Sequence, residues 1–440
     1  MNTAVWLIVG LGKTGVSCAR YLHRQGQAFA IYDTRQEPPG LDDVLALDAN
    51  CTVYTQALDV AILTQYAGLI ISPGISIHTP EIQQAMHQGV EVIGDIELFA
   101  RAATKPIIGI TGSNGKSTVT TLVGNMLRMA GYRVGVGGNI GLPALDLLVD
   151  EVDCYVLELS SFQLETTHSL VCHAAVVLNV SEDHMDRHAD LAEYATLKQS
   201  VYQQAGFALV NRADAWVVDM VPAEDAVSFG LDAPMVSHWG ISEHGWLAKG
   251  AYEFLDPELL KIKGQHNWSN VLVAVALAES MGASIPSCLG AAYDFAGLPH
   301  RMQWVAEFGG NEWINDSKAT NVGACLAAIQ GMPRPVVLLA GGEGKGADFS
   351  ALKPAIAAHV STLILFGRDA EKIHQAVGDA VPVVLVADML GAVQAAQKAA
   401  NTGDIILLSP ACASFDLYQN YEHRGTDFCT AVAALQRGSR

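Results

Sequence analysis

Short apolar runs recur along the chain, each closed by a glycine or polar turn and followed by hydrophobic positions at three- and four-residue steps. Residues 5–9 run into Gly10-Leu11-Gly12-Lys13-Thr14-Gly15 and a helical stretch to about Gly26; residues 28–32 end at Asp33-Thr34-Arg35. Further runs lie at 69–72, before Pro73-Gly74, and at 90–93. Strand-like runs roughly 20–30 residues apart, with helical rhythm between them, predict a parallel, doubly wound sheet. A second block starts near Asp95 with the run 106–110; Val119, Leu122, Val123, Met126, Leu127 and Ala130 then keep helical spacing up to Gly131. Buried-type strands are expected at 154–159 and 174–180, and Gly264-Gln265-His266-Asn267 opens a helix over 270–281. The third block begins near Gly297-Leu298-Pro299-His300-Arg301 and carries runs at 336–340, 363–366, 383–386 and 405–408.

At 440 residues the chain exceeds one ordinary core, so two to three domains are expected. Half the residues are hydrophobic and 16% are charged, which fits well-buried α/β domains rather than disorder. A formal net charge of −19 argues against nonspecific binding to nucleic acid or anionic membrane, but leaves room for small anionic substrates. The eight cysteines are scattered without a C-x-x-C pair, which points to a reduced, cytoplasmic chain and gives no zinc-ribbon signal. Residues 1–9 lack a basic leader and read as a strand; no apolar run approaches the ~18 residues that span a bilayer, so a soluble protein is expected.

The most informative motif is Gly112-Ser113-Asn114-Gly115-Lys116-Ser117, set between an apolar run and a helix. Strand, glycine loop, Lys-Ser and helix together grip a nucleotide triphosphate. Backbone N–H groups and the positive helix end meet the phosphates, the lysine adds a point charge, and the hydroxyl reaches Mg²⁺. Ile110 stands where the common loop has its first glycine, so the loop is compressed. Glu158 ends an apolar run and is delivered to the same sheet edge, where a carboxylate is placed to hold Mg²⁺. The strand over 175–180 brings Glu182, Asp183, His184 and Asp186 to that edge. His184 and His188 stand four apart, as in a zinc pair, but a third ligand has no obvious spacing; a single histidine beside Mg²⁺ and phosphate fits better.

Two other regions carry candidate chemistry. Gly10 to Gly15 matches G-x-G-x-x-G with Asp33 after the next strand; alone it suggests NAD, although any pyrophosphate joined to a sugar would fit. In the last block Asn315–Asn321, Gly341–Gly346 and Ser409–Asp416 are polar or glycine loops at strand carboxyl ends. They offer N–H groups, hydroxyls and lysines suited to a small dicarboxylate.

The loop 109–118, Glu158, Glu182-Asp183-His184-Met185-Asp186 and Asn315-Asp316-Ser317-Lys318-Ala319-Thr320-Asn321 together resemble the Mur ligases, ATP-dependent amide-forming enzymes of cell-wall precursor synthesis. The resemblance extends over all three blocks. It implies an α/β fold of three domains: a Rossmann-like domain at 1–94, a central P-loop ATPase-like domain with a mainly parallel sheet at 95–297, and a Rossmann-like domain at 298–440. Residues 157–164 and 409–414 resemble the branch that adds D-glutamate to UDP-N-acetylmuramoyl-L-alanine. By that resemblance Thr14, Asp33, Thr34, Arg35, Gly74, Asn139 and His184 would contact the UDP substrate, replacing the NAD reading. Gly112, Ser113, Asn114, Gly115, Lys116, Ser117, Thr118, Asn270, Arg301 and Asp316 would bind ATP. Ser117, Glu158, His184 and a carbamylated Lys198 would hold two Mg²⁺ ions. Lys116, His184, Lys198 and Arg301 would be catalytic; Thr320, Lys345, Ser414 and the backbone of Tyr421 would receive D-glutamate. A carbamate suits Lys198 because an ammonium would repel Mg²⁺. A cytoplasmic monomer is expected, and positioning two substrates and ATP across three domains suggests that the last domain closes on them.

The chemistry implied is phosphorylation of the alanyl carboxylate by ATP, followed by amine attack on the acyl phosphate. A dehydrogenase leaves the ATP loop unexplained, and a nonenzymatic nucleotide switch leaves the third block's polar edge unused. A sister ligase adding L-alanine or a diamino acid is the nearest rival.

Overall fold

The computed structural model describes residues 5–149, 151–181, 183, 187–262 and 264–438. Three sheets follow one another along the chain. The first has five parallel strands, with Trp6–Val9 at its centre between Phe29–Asp33 and Gly68–Ile71; Val53–Thr55 and Glu91–Ile93 form the edges. The middle strand is buried from Leu7 to Val9, as expected for a strand covered on both faces by helices.

The second sheet has nine strands. Ile107–Thr111 lies between Cys154–Glu158 and Ala174–Val177, all parallel, and Val134–Gly138 closes that edge. The other edge was not read from the pattern. Phe207–Asn211, Ala226–Phe229 and Trp239–Ile241 continue the parallel order, and Leu247–Lys249 and Tyr252–Leu255 extend it as antiparallel ribbons. The helix expected over 270–281 begins earlier, spanning Gln265–Ser280.

The first two sheets share one continuous core. Helix Asp95–Ala102 buries Ile96, Leu98 and Phe99 into it, and the Phe99 ring meets Tyr155 edge-on at 5.0 Å. The same helix is tied down by Glu97, whose carboxylate accepts the N–H groups of His168 and Ser169 at 2.7 and 2.9 Å. Chain contacts accordingly divide the protein into two compact units, Met1–Leu255 with Ser269–Ala291, and Asp256–Trp268 with Ala292–Arg440.

The second unit carries the six-stranded sheet. Asn311–Asn315, Ile405–Leu408, Val336–Gly341, Val360–Phe366 and Val383–Leu385 are parallel, and Gln303–Phe308 pairs antiparallel at the edge. Apolar side chains cover both faces, around Leu338 and Leu363 on one and Leu339 and Ile406 on the other. Among the described residues no helix is long and apolar enough to cross a membrane.

Candidate active site

Strand Ile107–Thr111 runs into the compressed glycine loop, and helix Lys116–Met129 leaves it. Gly112 has φ +144° and Gly115 φ +86°, regions that L side chains rarely enter. Space is also denied: a Cβ at Gly112 would lie 2.9 Å from that of Leu178, and one at Gly115 2.7 Å from Asn270 Oδ1. Gly109 sits inside the strand, where a Cβ would lie 2.8 Å from both Cys172 Sγ and Val201 Cγ2, so it serves packing and the phosphate loop begins at Gly112. The end of the neighbouring strand braces the loop. Asn114 N–H donates to Asn179 Oδ1 at 2.8 Å, and Asn179 Nδ2 returns a bond to the Asn114 carbonyl at 3.1 Å. Ser117 is buried in the helix's first turn, beside Thr118.

Two lysines converge on this loop. Lys116 Nζ folds back to the carbonyls of Gly112 and Ser113, at 2.7 and 2.8 Å. Lys198, on helix Leu191–Gln199, is 1% exposed and donates to the same Gly112 carbonyl at 3.0 Å, with its Nζ 4.2 Å from the centre of the Tyr194 ring. Burial, then repulsion from Lys116, push the Lys198 amine down to about 6, against the pull of Asp183 and Glu158. At neutral pH it is a free base, not the solvated ammonium of an ordinary helix lysine.

Glu158 ends strand Cys154–Glu158, in register with Ile110. One carboxylate oxygen accepts from Asn139 Nδ2 at 2.7 Å; the other is buried with no hydrogen-bond partner among the described residues. Thr111 Oγ1, at the root of the loop, is also without a partner among the described residues. A buried anionic oxygen left without a donor is costly, and a hard divalent cation supplies what it lacks. Ser117 and Glu158 therefore fit Mg²⁺. His184, together with Glu182 and Asp186, lies outside the described residues. His188, four residues on, is buried; its Nε2 is 3.0 Å from Ser161 Oγ and its ring stacks on Phe162.

In the first sheet Asp33 faces inward, onto the glycine turn. Its Oδ2 accepts the Leu11 N–H at 2.7 Å, and Arg35 grips both oxygens, with Nε on Oδ1 at 2.8 Å and Nη2 on Oδ2 at 2.6 Å. That guanidinium holds the carboxyl down at about 2. Thr34, Arg35 and Gly74 are exposed, and Thr14 is half-buried in the first turn of helix Lys13–Arg24.

Asp33 should therefore stabilise the fold with a definite pH signature. Its folded pKa lies below the ordinary 3.8, so the stabilisation is complete above that value and is lost as pH falls toward 2. Asp33→Asn should flatten the acid limb of unfolding midpoint against pH in that window. A variant whose acid limb matches wild type would contradict this.

In the second unit the three polar loops are joined by a residue that the sequence did not single out. Arg424, 1% exposed on helix Tyr421–Gly438, donates to Ser317 Oγ and O at 2.9 and 2.8 Å and to the Cys412 carbonyl at 3.1 Å; Nη1 lies 3.5 Å from the Gly341 carbonyl. Only the stretch Tyr421-Glu422-His423-Arg424-Gly425, an arginine opening a helix after the third loop, hints at it. Asp316 is buried and committed internally: it accepts from Met302 N–H at 3.2 Å and Ser409 Oγ at 3.0 Å, and burial pushes it up to about 7. Arg301 lies between His300 and Met302, both at positive φ. Lys345 is exposed at φ +50°, its Nζ 5.1 Å from the centre of the Phe415 ring. Thr320 is exposed and Ser414 buried; the Tyr421 carbonyl accepts from Ser317 Oγ at 2.8 Å.

Three α/β sheets with a phosphate loop at the carboxyl edge of the central one define a P-loop nucleotide-binding protein. Family models match in sequence order: the MurD-like N-terminal domain of Mur ligases over residues 4–94, the Mur ligase middle domain over 110–278, and the Mur ligase glutamate ligase domain over 300–412. The chain belongs to the Mur ligase family. It is 46% identical to the UDP-N-acetylmuramoylalanine–D-glutamate ligase of Legionella pneumophila (strain Paris), with 99% of this chain and 100% of that protein covered. With the enzyme of the same name from Pseudomonas aeruginosa the identity is 49%, covering 98% of each. Among solved structures, UDP-N-acetylmuramate-alanine ligase MurC from Thermotoga maritima shares the fold, with a TM-score of 0.59 at 15% identity over 98% of this chain and 99% of that one.

Proposed function

We infer that this Mur ligase joins D-glutamate to the alanyl carboxylate of UDP-N-acetylmuramoyl-L-alanine at the expense of ATP, in cytoplasmic peptidoglycan precursor synthesis. The observation that carries this reading is identity of 46–49% across nearly the whole chain to proteins bearing that activity in their names. The loop geometry supports the ATP half. Gly112 to Gly115 present backbone N–H groups at a helix N-terminus, and Lys116 stands ready to leave two carbonyls for phosphate oxygens.

The residues divide the work by chemistry. A carboxylate resists an amine because it is anionic and has no good leaving group; phosphorylation supplies one. Lys116 and Arg301 would spread charge on the transferred phosphoryl group, and Asn270, beside Gly115, and Asp316 would contact the adenosine. Ser117, Glu158, His184 and a carbamylated Lys198 would hold Mg²⁺, which neutralises phosphate charge. Carbamylation is favoured by the neutral amine: its nitrogen bonds to the carbon of CO₂ and releases a proton. Thr14, Asp33, Thr34, Arg35, Gly74 and Asn139 would seat the UDP substrate. Thr320, Lys345, Ser414 and Tyr421 would receive D-glutamate, whose two carboxylates suit a lysine and hydroxyl donors.

Phosphate release with ATP and UDP-N-acetylmuramoyl-L-alanine should appear with D-glutamate and be at least about a hundred-fold slower with L-alanine or L-lysine, which lack the second carboxylate the site is built for, and with meso-diaminopimelate, whose longer chain and second ammonium do not match it. Equal rates with a diamino acid would assign the chain to a sister activity. Glu158→Gln keeps shape and removes the charge; about a hundred-fold loss of turnover is expected, with a raised Mg²⁺ requirement in a metal titration.

A further inference from the structure

A buried arginine couples the first sheet's glycine turn to the second sheet. Arg187 comes from the segment that follows strand Ala174–Val177, and its side chain is 14% exposed. Nη2 donates to the Ile75 carbonyl at 2.9 Å and to Glu165 Oε2 at 3.1 Å; Nη1 lies 3.4 Å from the Pro73 carbonyl. The guanidinium carbon sits 4.6 Å from the centre of the Phe162 ring. Glu165 is 4% exposed and also meets His78 Nε2, at 3.3 Å, so one carboxylate engages the first domain directly and through Arg187.

Each end of this clasp touches a candidate binding element. On the first domain, Ser72 Oγ donates to the Gly10 carbonyl at 2.7 Å, and a Cβ at Gly10 would lie 2.8 Å from Ile75 Cδ1. Segment 72–75 is thus the wall of the first glycine turn. On the second domain, Phe162 lies in the short helix Ser161–Leu164, which a capping box at Ser160 fixes just after Glu158. Nothing but an arginine fork reaches two carbonyls and a carboxylate while stacking on a ring.

We propose that Arg187 is a positioning residue for the nucleotide-sugar substrate: it sets the diphosphate cradle of the first domain against the ATP loop, so that the carboxyl acceptor meets the terminal phosphate. This rests on the functional reading above. Arg187 acts through Pro73, Ile75 and Glu165 and takes no part in bond making.

The test is steady-state kinetics on the full chain, with each substrate varied in turn, for wild type, Arg187→Met and Arg187→Lys. Arg187→Met should raise KM for UDP-N-acetylmuramoyl-L-alanine by about ten-fold or more, leaving KM for ATP and D-glutamate within about two-fold, since misplacing a substrate anchor costs orientation at that substrate first. Arg187→Lys keeps the charge but not the fork, and should fold where methionine does not; a rise of about three-fold is expected. An unchanged KM for the UDP substrate, or an equal rise in all three, would overturn the proposal. A wild-type chain inactive with D-glutamate would instead overturn the functional reading, and this inference with it.

Discussion

Lys116→Ala is expected to lower turnover by about a thousand-fold or more while UDP-substrate affinity stays within about two-fold of wild type. The asymmetry follows from where the lysine sits. Its Nζ hangs over the loop on the carbonyls of Gly112 and Ser113, at the N-terminus of helix Lys116–Met129 beside the second sheet. The loop's shape is set by Gly112, Gly115 and the Asn114–Asn179 pair, so it survives loss of the side chain. What disappears is the positive charge that phosphoryl transfer needs most in its transition state. Single-turnover ATP cleavage and calorimetric titration with the UDP substrate separate the two effects. Near-normal turnover would remove this loop from the reaction.

Lys198→Met is expected to abolish more than about 99% of activity and yet leave the protein as stable as wild type or more so at neutral pH. Lys198 is buried beside the Lys116 ammonium, and its amine is held at about 6 against an ordinary 10.5. Between those values the unfolded chain binds the proton and the folded chain does not. Stability therefore rises with pH from about 6 toward 10.5, and an apolar side chain should erase that slope. The same shift bears on activity. Only the neutral amine adds CO₂, so in air-equilibrated buffer wild-type activity should fall as pH drops through about 6; at neutral pH, stripping CO₂ should lower activity and bicarbonate should restore it. A Lys198→Met enzyme with wild-type rates, or a bicarbonate-blind wild type, would exclude the carbamate.

Much of this was legible in the chain. Strands 405–408 and 336–340, and the loops that follow them, stand out because buried parallel strands are unbroken apolar runs and their carboxyl ends need glycine or polar turns. The far edge of the second sheet escaped notice because Trp239–Ile241 and Leu247–Lys249 are three residues long, too short to show a period. Lys198 is singled out by the resemblance alone: Leu191–Gln199 has no apolar stripe, and its burial comes from Tyr194 one turn earlier and from the Gly112 carbonyl far away in sequence. Arg424 was invisible because its partners lie in three separate loops and are mostly backbone carbonyls, which carry no residue signature. Asp33 reads in the sequence as a UDP-substrate contact, and the internal bonds of both its oxygens, to Leu11 and Arg35, carry no signal there.

Activation of the acceptor carboxylate by phosphorylation is the central step. UDP-N-acetylmuramoyl-L-alanine labelled with ¹⁸O in its alanyl carboxylate, incubated with ATP and D-glutamate, reports this directly. If an acyl phosphate forms, one labelled oxygen per turnover passes into the released inorganic phosphate. Unlabelled phosphate, released at the same rate as the amide product, would contradict it.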